Sequence, residues 1–302
     1  MNKVLILGVN GFTGRHFQDY IIREKLDQNY SFIGADRKIE QRVGIDYRQT
    51  NLVLGENLRK LIEDERPDYI MNFTGIFNDA NFRAILTVNS ELPRKILDII
   101  SIRGFPLKNI LLIGSAAEYG SNDNLPLKED SDLCPVSFYG LSKVIQTHYA
   151  GYYHRNYRNI NVNVARTFNI IGSGMSTLLS IPLFFKQIEE AKDGGSIYVG
   201  NLNTKRDFLD ISDVIDAYWK ILIGGERGRI YNLCRGKSVK IKDILQYMIL
   251  KSGKKLHVIV EDNYLKTNDI LDSYGDNSKL VRDTGWNCRV SINDAIDKLI
   301  HL

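Results

Sequence analysis

Short apolar runs punctuate the first half of the chain, each closing on a glycine or a small polar residue: KVLILG (3–8), SFIGAD (31–36), DYIMNFTG (68–75), NILLIGS (109–115) and NVNVART (161–167). Their β-branched and large apolar residues read as strands, and near-continuous apolarity points to burial on both faces. Strands of that kind belong to a parallel sheet covered by helices. Segments 13–26, 56–65, 82–103 and 139–157 carry helical patterns between them. This alternation predicts a doubly wound α/β fold of the Rossmann type, with its ligand at the carboxyl ends of the strands.

Beyond about residue 170 the rhythm breaks. An apolar segment at 178–191, strands at 196–200, 229–234 and 255–260, and helices at 212–223 and 240–251 form a mixed set. We expect a smaller mixed α/β domain made of about 170–204 plus 236–302, and a larger one made of 1–169 plus about 205–235. The stretch 261–280 is polar and reads as loop-rich, and no internal repeat is visible.

Composition changes this picture little. With 43% apolar and 25% charged residues the chain can bury a sizeable core. Forty basic against thirty-six acidic residues leave a net charge of +4 and no basic tract, which argues against nucleic acid as the main partner. Cys134, Cys234 and Cys288 are far apart and odd in number, so reduced thiols are expected, with no disulfide framework and no metal site. The opening MNKVLILGVNGF holds an apolar run too short for a signal peptide or a membrane span, so a cytoplasmic protein is expected.

Candidate chemistry starts at Gly8, Gly11 and Gly14, spaced GxxGxxG between the first strand and the first helix. Glycine allows the tight turn, the close approach of backbone N–H groups to a pyrophosphate, and close helix–strand packing. The helix N-terminus adds its positive dipole end. The second strand ends at Asp36, where a carboxylate accepts from ribose hydroxyls and repels a 2′-phosphate. That favours NAD(H) over NADP(H), although Arg37 beside it can turn onto a phosphate. The larger domain is thus expected to bind a dinucleotide.

Tyr139 and Lys143 stand four residues apart at the start of a helix, on one face of it. Tyrosine is a poor acid or base at neutral pH, since its ordinary pKa is about 10. A neighbouring ammonium favours the phenolate, and a lowering by about two to three pH units is worth about 3–4 kcal/mol. Such a tyrosine can exchange a proton with a sugar hydroxyl while hydride moves at the same carbon. Ser115, at a strand's carboxyl end, can bond the same oxygen. Alone, the pair reads better as an exposed helix pair; the glycine turn and the upstream serine select the catalytic reading.

GVNGFTG, IGSAAEYG, SFYGLSK, ARTFNIIGSG, VGNLNTKRDFLDISDV, YNLC and GDNSKLVRDTGW stand in family order. Over nearly its whole length the chain resembles the extended short-chain dehydrogenase/reductases that act on nucleotide sugars. It looks most like the GDP-4-keto-6-deoxy-D-mannose reductases, then other 4-ketosugar reductases and nucleotide-sugar epimerases. The resemblance implies a catalytic triad of Ser115, Tyr139 and Lys143, with Lys143 also holding the nicotinamide ribose. It implies that Phe12 and Thr13, then Phe73, Thr74 and Gly75, line the cofactor. Asn89, Asn169 and Arg206 would face substrate, with Ala116 and Ala117 beside the catalytic serine. A homodimer through the long helix is implied as well, in which Tyr149, Tyr152 and Tyr153 either meet the partner or pack on the core. For Arg206 the alternative is a surface salt bridge with Asp207.

Some positions depart from the family pattern. Where 4,6-dehydratases carry a Glu that removes the C5 proton, this chain has Ala117, and Glu118 one place on is expected to point elsewhere. Asn51 replaces an Asp that contacts adenine, and Lys266 replaces an Arg that binds substrate phosphate, next to Thr267 in place of a proline. Three functions stay open: reduction at C4 of a nucleotide-linked 4-keto-6-deoxyhexose, NAD-dependent 4-epimerisation of a nucleotide sugar, and non-catalytic dinucleotide sensing. Asp36 helps the epimerase, since reductases of the similar type often prefer NADPH; the SGM after TFNIIG and the VGNLNTKRDF stretch favour the reductase.

Overall fold

Strand β1 (Asn2–Leu7) sets the layout of the core. Val4 and Ile6 are buried in one apolar cluster, Leu5 and Leu7 in another. Alternate side chains of a strand point to opposite faces, so both faces of its sheet are covered. The computed structural model, which describes residues 1–300 apart from 39, 41–43, 78–80, 262 and 264–268, places β1 inside a seven-stranded sheet. Its other strands are β2 (Tyr30–Asp36), β3 (Asp46–Gln49), β4 (Tyr69–Asn72), β5 (Asn109–Ser115), β6 (Val162–Thr167) and, tenth in the chain, β10 (Ile230–Leu233). Every pair is parallel, in the order β3-β2-β1-β4-β5-β6-β10. From β1 the chain builds outward one way to β3, then from β4 the other way. The crevice between the carboxyl ends of β1 and β4 is therefore the switch point where such sheets take ligands.

Helices α1 (Phe12–Arg23) and α7 (Ile211–Gly224) bury Phe17, Ile21, Val214 and Tyr218 against one face. The other face is covered by α2 (Gly55–Glu65), α4 (Leu92–Arg103) and α5 (Phe138–Asn156) through Leu58, Ile96, Ile100 and Ala150. The helix expected over 82–103 is not continuous: α3 (Phe82–Leu86) passes through a π-turn, Thr87–Glu91, into α4.

A second sheet is centred on β9 (Lys205–Asp210), which pairs with β7 (Asn169–Ile171), β11 (Ser238–Lys240) and β13 (Asp272–Ser273). A two-stranded sheet joins β8 (Ser196–Val199) to β12 (His257–Val260). Helices α6 (Ser180–Glu190), α8 (Ile241–Ser252) and α10 (Ile292–Ile300) share a third core with these strands, around Phe184, Ile244, Met248 and Ile296. Because β9 pairs here, the chain re-enters the main layer at Ile211 rather than near residue 205. The stretch read as loop-rich holds β13 and the start of α9 (Ser278–Thr284). Cys134, Cys234 and Cys288 are unpaired, and among the described residues no helix is long and apolar enough to cross a membrane.

Candidate active site

The glycine turn closes on the switch point. Gly8 has φ +77°, and a Cβ there would come within 2.9 Å of the Thr74 nitrogen at the end of β4. A Cβ on Gly14 would lie 2.2 Å from the Val9 carbonyl oxygen, so only glycine lets α1 start this close to β1. Gly11 is the N-cap, no side chain caps the helix, and its first turn carries no acid. The early N–H groups of Phe12, Thr13 and Gly14 thus face outward without a side-chain acceptor, beside the positive end of the helix. The turn fits the pyrophosphate of a dinucleotide.

At the end of β2, the Asp36 carboxylate accepts the N–H groups of Asn10 (3.0 Å) and Arg37 (2.7 Å). Beyond it a 670 Å³ cavity is lined by Arg37, Arg48, Gln49, Asn51, Lys60 and Asp64 among others. Asn51 lines this cavity, its Oδ1 accepting Val53 N–H at 3.3 Å. The side chain of Phe73 points away from the crevice, packing 5.6 Å from Phe17 and 5.8 Å from Tyr218. Its backbone, with that of Thr74, forms the wall against Gly8.

Ser115 ends β5 and caps a 3₁₀ turn, Ala116–Glu118, accepting Ala117 N–H at 3.2 Å. The first turn of α5 docks onto it because Gly140 has no side chain: a Cβ there would be 2.4 Å from the Ala117 carbonyl oxygen. That contact brings the partly buried Tyr139 hydroxyl into a hydrogen bond with Ser115. Lys143, one turn on, is 3% exposed; its Nζ lies 6.0 Å from the Tyr139 ring centroid and donates to the Ile113 carbonyl at 2.8 Å. Ala116 and Ala117 are half-buried in the same turn. Gly75 completes the wall, a Cβ there lying 3.9 Å from Lys143 Nζ.

The proton affinities depart from the expectation that the ammonium would acidify the phenol. Burial pushes Tyr139 up from its ordinary value; the Ser115 hydrogen bond opposes this and the Glu118 carboxylate adds to it. Burial pulls Lys143 down to about 8, and Glu118 works against that fall. At the phenol, desolvation outweighs the Ser115 hydrogen bond.

Asn89, Asn169 and Arg206, expected at substrate, each have partners within the chain. Asn89 sits in the π-turn, fully buried, its amide taken up by both backbone groups of Ile76 (2.9 and 2.8 Å) and by Ser142 Oγ (3.0 Å). Asn169 donates to the Asp207 carbonyl at 3.1 Å. Arg206 donates to the Ile270 carbonyl at 2.6 Å and pairs with Asp269 at 3.4 Å. The alternative Arg206–Asp207 pair is not made, because buried Asp207 accepts the N–H groups of Arg235 and Gly236. Lys266 and Thr267 lie outside the described residues. On α5, Tyr153 is buried and donates to Asp98, Tyr149 packs on the core, and Tyr152 is half exposed.

Sequence reasoning passed over a buried pair behind the triad, Glu118 with Arg166 at 2.8 Å. The signal was available: an arginine inside the buried strand NVNVART needs a carboxylate partner.

A family model described as the NAD dependent epimerase/dehydratase family matches residues 4–234. The GDP-6-deoxy-D-mannose reductase of Pseudomonas aeruginosa is 25% identical, across 99% of this chain and 96% of that protein. The GDP-6-deoxy-D-talose 4-dehydrogenase of Aggregatibacter actinomycetemcomitans is 26% identical, across 97% and 95%. Among solved structures, RMD from Pseudomonas aeruginosa complexed with NADPH superposes with a TM-score of 0.84 at 23% identity, covering 100% of this chain and 98% of that one. With its seven-stranded parallel sheet and uncapped glycine turn, the chain belongs to the NAD dependent epimerase/dehydratase family, NAD(P)-binding enzymes of the extended short-chain dehydrogenase/reductase type.

Proposed function

We propose that this enzyme reduces C4 of a nucleotide-linked 4-keto-6-deoxyhexose of the GDP-4-keto-6-deoxymannose class, as a step in supplying nucleotide sugars for surface polysaccharide. The observation that carries the reading is the Tyr139 hydroxyl, bonded to Ser115 beside Lys143, with burial raising its proton affinity. A reductase must start with that proton on the phenol, whereas an epimerase starts by removing one from a sugar hydroxyl. A reduced dinucleotide, when bound, would supply the hydride. Ser115 orients the keto oxygen, Tyr139 gives it a proton, and Lys143 stabilises the phenolate left behind, which water then reprotonates. Dehydration lacks its base, since Ala117 stands at that position and Glu118 is bound to Arg166. Two relatives matched over nearly their full length are named for GDP-linked 6-deoxyhexoses, which supports this substrate class.

The dinucleotide would lie along Gly8–Gly14, with its ribose at Asp36 and its nicotinamide end at Tyr139 and Lys143. Asp36 supports NAD(H) over NADP(H); Arg37 and Arg48 around the adjoining cavity, and a neighbour complexed with NADPH, weigh the other way. The smaller domain would hold the nucleotide sugar through Arg206, Asn169 and Lys266. A cytoplasmic homodimer through α5 completes the reading, supported by the exposure of Phe138, Leu141 and Tyr152 on that helix. A second reading, NAD-dependent 4-epimerisation, is favoured by Asp36 alone. Incubation with nucleotide sugars and 4-ketosugars, with NADH and NADPH supplied separately, tests the choice. Consumption of reduced dinucleotide with a 4-ketosugar supports reduction; interconversion of 4-epimers without consumption overturns it.

A further inference from the structure

Behind the triad, both oxygens of the fully buried Glu118 carboxylate are engaged. Oε1 accepts Ser115 N–H at 2.9 Å; Oε2 accepts Arg166 Nε and Thr147 Oγ1, each at 2.8 Å. Arg166 continues to the Tyr119 hydroxyl (3.1 Å) and the Glu129 carbonyl (3.0 Å). A buried ion pair is weak evidence for stability, because apolar side chains of similar volume often serve a fold as well. What distinguishes this pair is where it ends: on the backbone of Ser115, and on Thr147, one helical turn beyond Lys143.

We propose that Glu118 is a positioning residue of the site, whose carboxylate, held by Arg166, fixes the Ser115 turn and keeps the neighbouring Lys143 cationic. The proposal rests on Ser115, Tyr139 and Lys143 being the reacting triad. Space is arranged for it: a Cβ on Gly114 would lie 2.7 Å from Glu118 Oε1, so the carboxylate lies directly against the end of β5. The charged and titratable groups around Glu118 are Arg166 from β6, Tyr139 and Lys143 from α5, Tyr119 from its own turn, and Glu129 across Arg166. Glu129 is itself paired with Lys279 at 3.3 Å. The other partners of Lys143 are neutral: the Ile113 carbonyl, the Gln146 amide at 3.4 Å and the Tyr139 ring. Burial pulls Lys143 down to about 8, and Glu118 is the charge that resists it. At neutral pH that margin keeps the ammonium available to the phenolate.

The test is a pH titration of ¹³Cε-lysine NMR signals in the full chain, with the Lys143 signal assigned by its loss in Lys143→Met. Glu118→Gln is expected to lower the Lys143 midpoint by about one pH unit. The alkaline limb of reductase turnover should move down with it, with kcat at neutral pH falling about tenfold and KM for the dinucleotide within about twofold. A purely structural role would move neither midpoint nor limb, and a Lys143 midpoint equal to wild type overturns the proposal. Should Glu118→Gln fail to fold, Glu118→Leu/Arg166→Met replaces the pair with apolar side chains and is read the same way. Turnover that survives Tyr139→Phe would instead remove the triad reading, while the Lys143 midpoint still decides the role of Glu118.

Discussion

Lys143 illustrates how function opposes stability within one residue. Its ordinary pKa of 10.5 falls to about 8 in the folded chain. Between these values the unfolded chain binds more protons than the folded one, so stability rises with pH through that window. Below about pH 8 both states carry the charge, and the fold bears a penalty of about 3 kcal/mol, at about 1.4 kcal/mol per pH unit. Lys143→Met should therefore melt no lower than wild type at pH 7 by calorimetry while losing turnover; Gln146 keeps the Ile113 carbonyl bonded at 3.0 Å. A melting point several degrees lower would show that the lysine serves the fold. Asp36 gives a second prediction. Asp36→Ala removes a charge that repels a 2′-phosphate, so the ratio of kcat/KM for NADPH to that for NADH should rise about tenfold or more. No change in the ratio would take discrimination away from this carboxylate. Serine, tyrosine, lysine and the glycines were legible in the sequence because their meaning lies in local spacing. The partners of Asn89 and Arg206 were not, because Ile76, Ser142, Asp269 and Ile270 come from other parts of the chain. The upward push of burial on the phenol was not legible for a similar reason: spacing shows which groups are near in sequence but not how deeply they are buried.

At the level of elements, turns decide the site. The two glycines flanking the start of α1 differ in what they tolerate. A methyl at Gly14 meets the Val9 carbonyl oxygen at 2.2 Å, while one at Gly11 meets the Gly8 oxygen at 3.3 Å. Gly14→Ala should thus destabilise the chain by about 2 kcal/mol or more and abolish dinucleotide binding. Gly11→Ala should cost less of both, as read by denaturant unfolding and calorimetric titration. The opposite ranking would mean that α1 does not start where the structure puts it. Long strands and helices were visible as apolar periodicity, and the six strands of the main sheet read from it lie within one or a few residues of their observed bounds. The edge strand β3 was missed because DYRQ has no apolar pattern; its place comes from pairing with β2. The π-turn was missed because 82–103 keeps helical composition while one turn widens around buried Asn89 and Ser90.

Across the whole molecule, the proposed reaction would have the two parts serve different ligands. The main sheet offers the glycine turn, Asp36, Ser115, Tyr139 and Lys143; the second sheet carries Asn169 on β7 and Arg206 on β9. The half-exposed Tyr152 on α5 gives the assembly prediction: wild type should sediment as a dimer, and Tyr152→Glu should shift it toward monomer. A monomeric wild type would remove α5 as an interface. In the proposed reaction a proton from Tyr139 and a hydride reach the same carbonyl. This reaction is tested most directly by supplying NADH deuterated at the transferring position together with GDP-4-keto-6-deoxymannose, and locating the label by NMR. We predict one deuterium at C4 of the sugar for each dinucleotide oxidised, and none with Tyr139→Phe, which should still bind the dinucleotide; an unlabelled product, or labelling that survives Tyr139→Phe undiminished, would contradict the account.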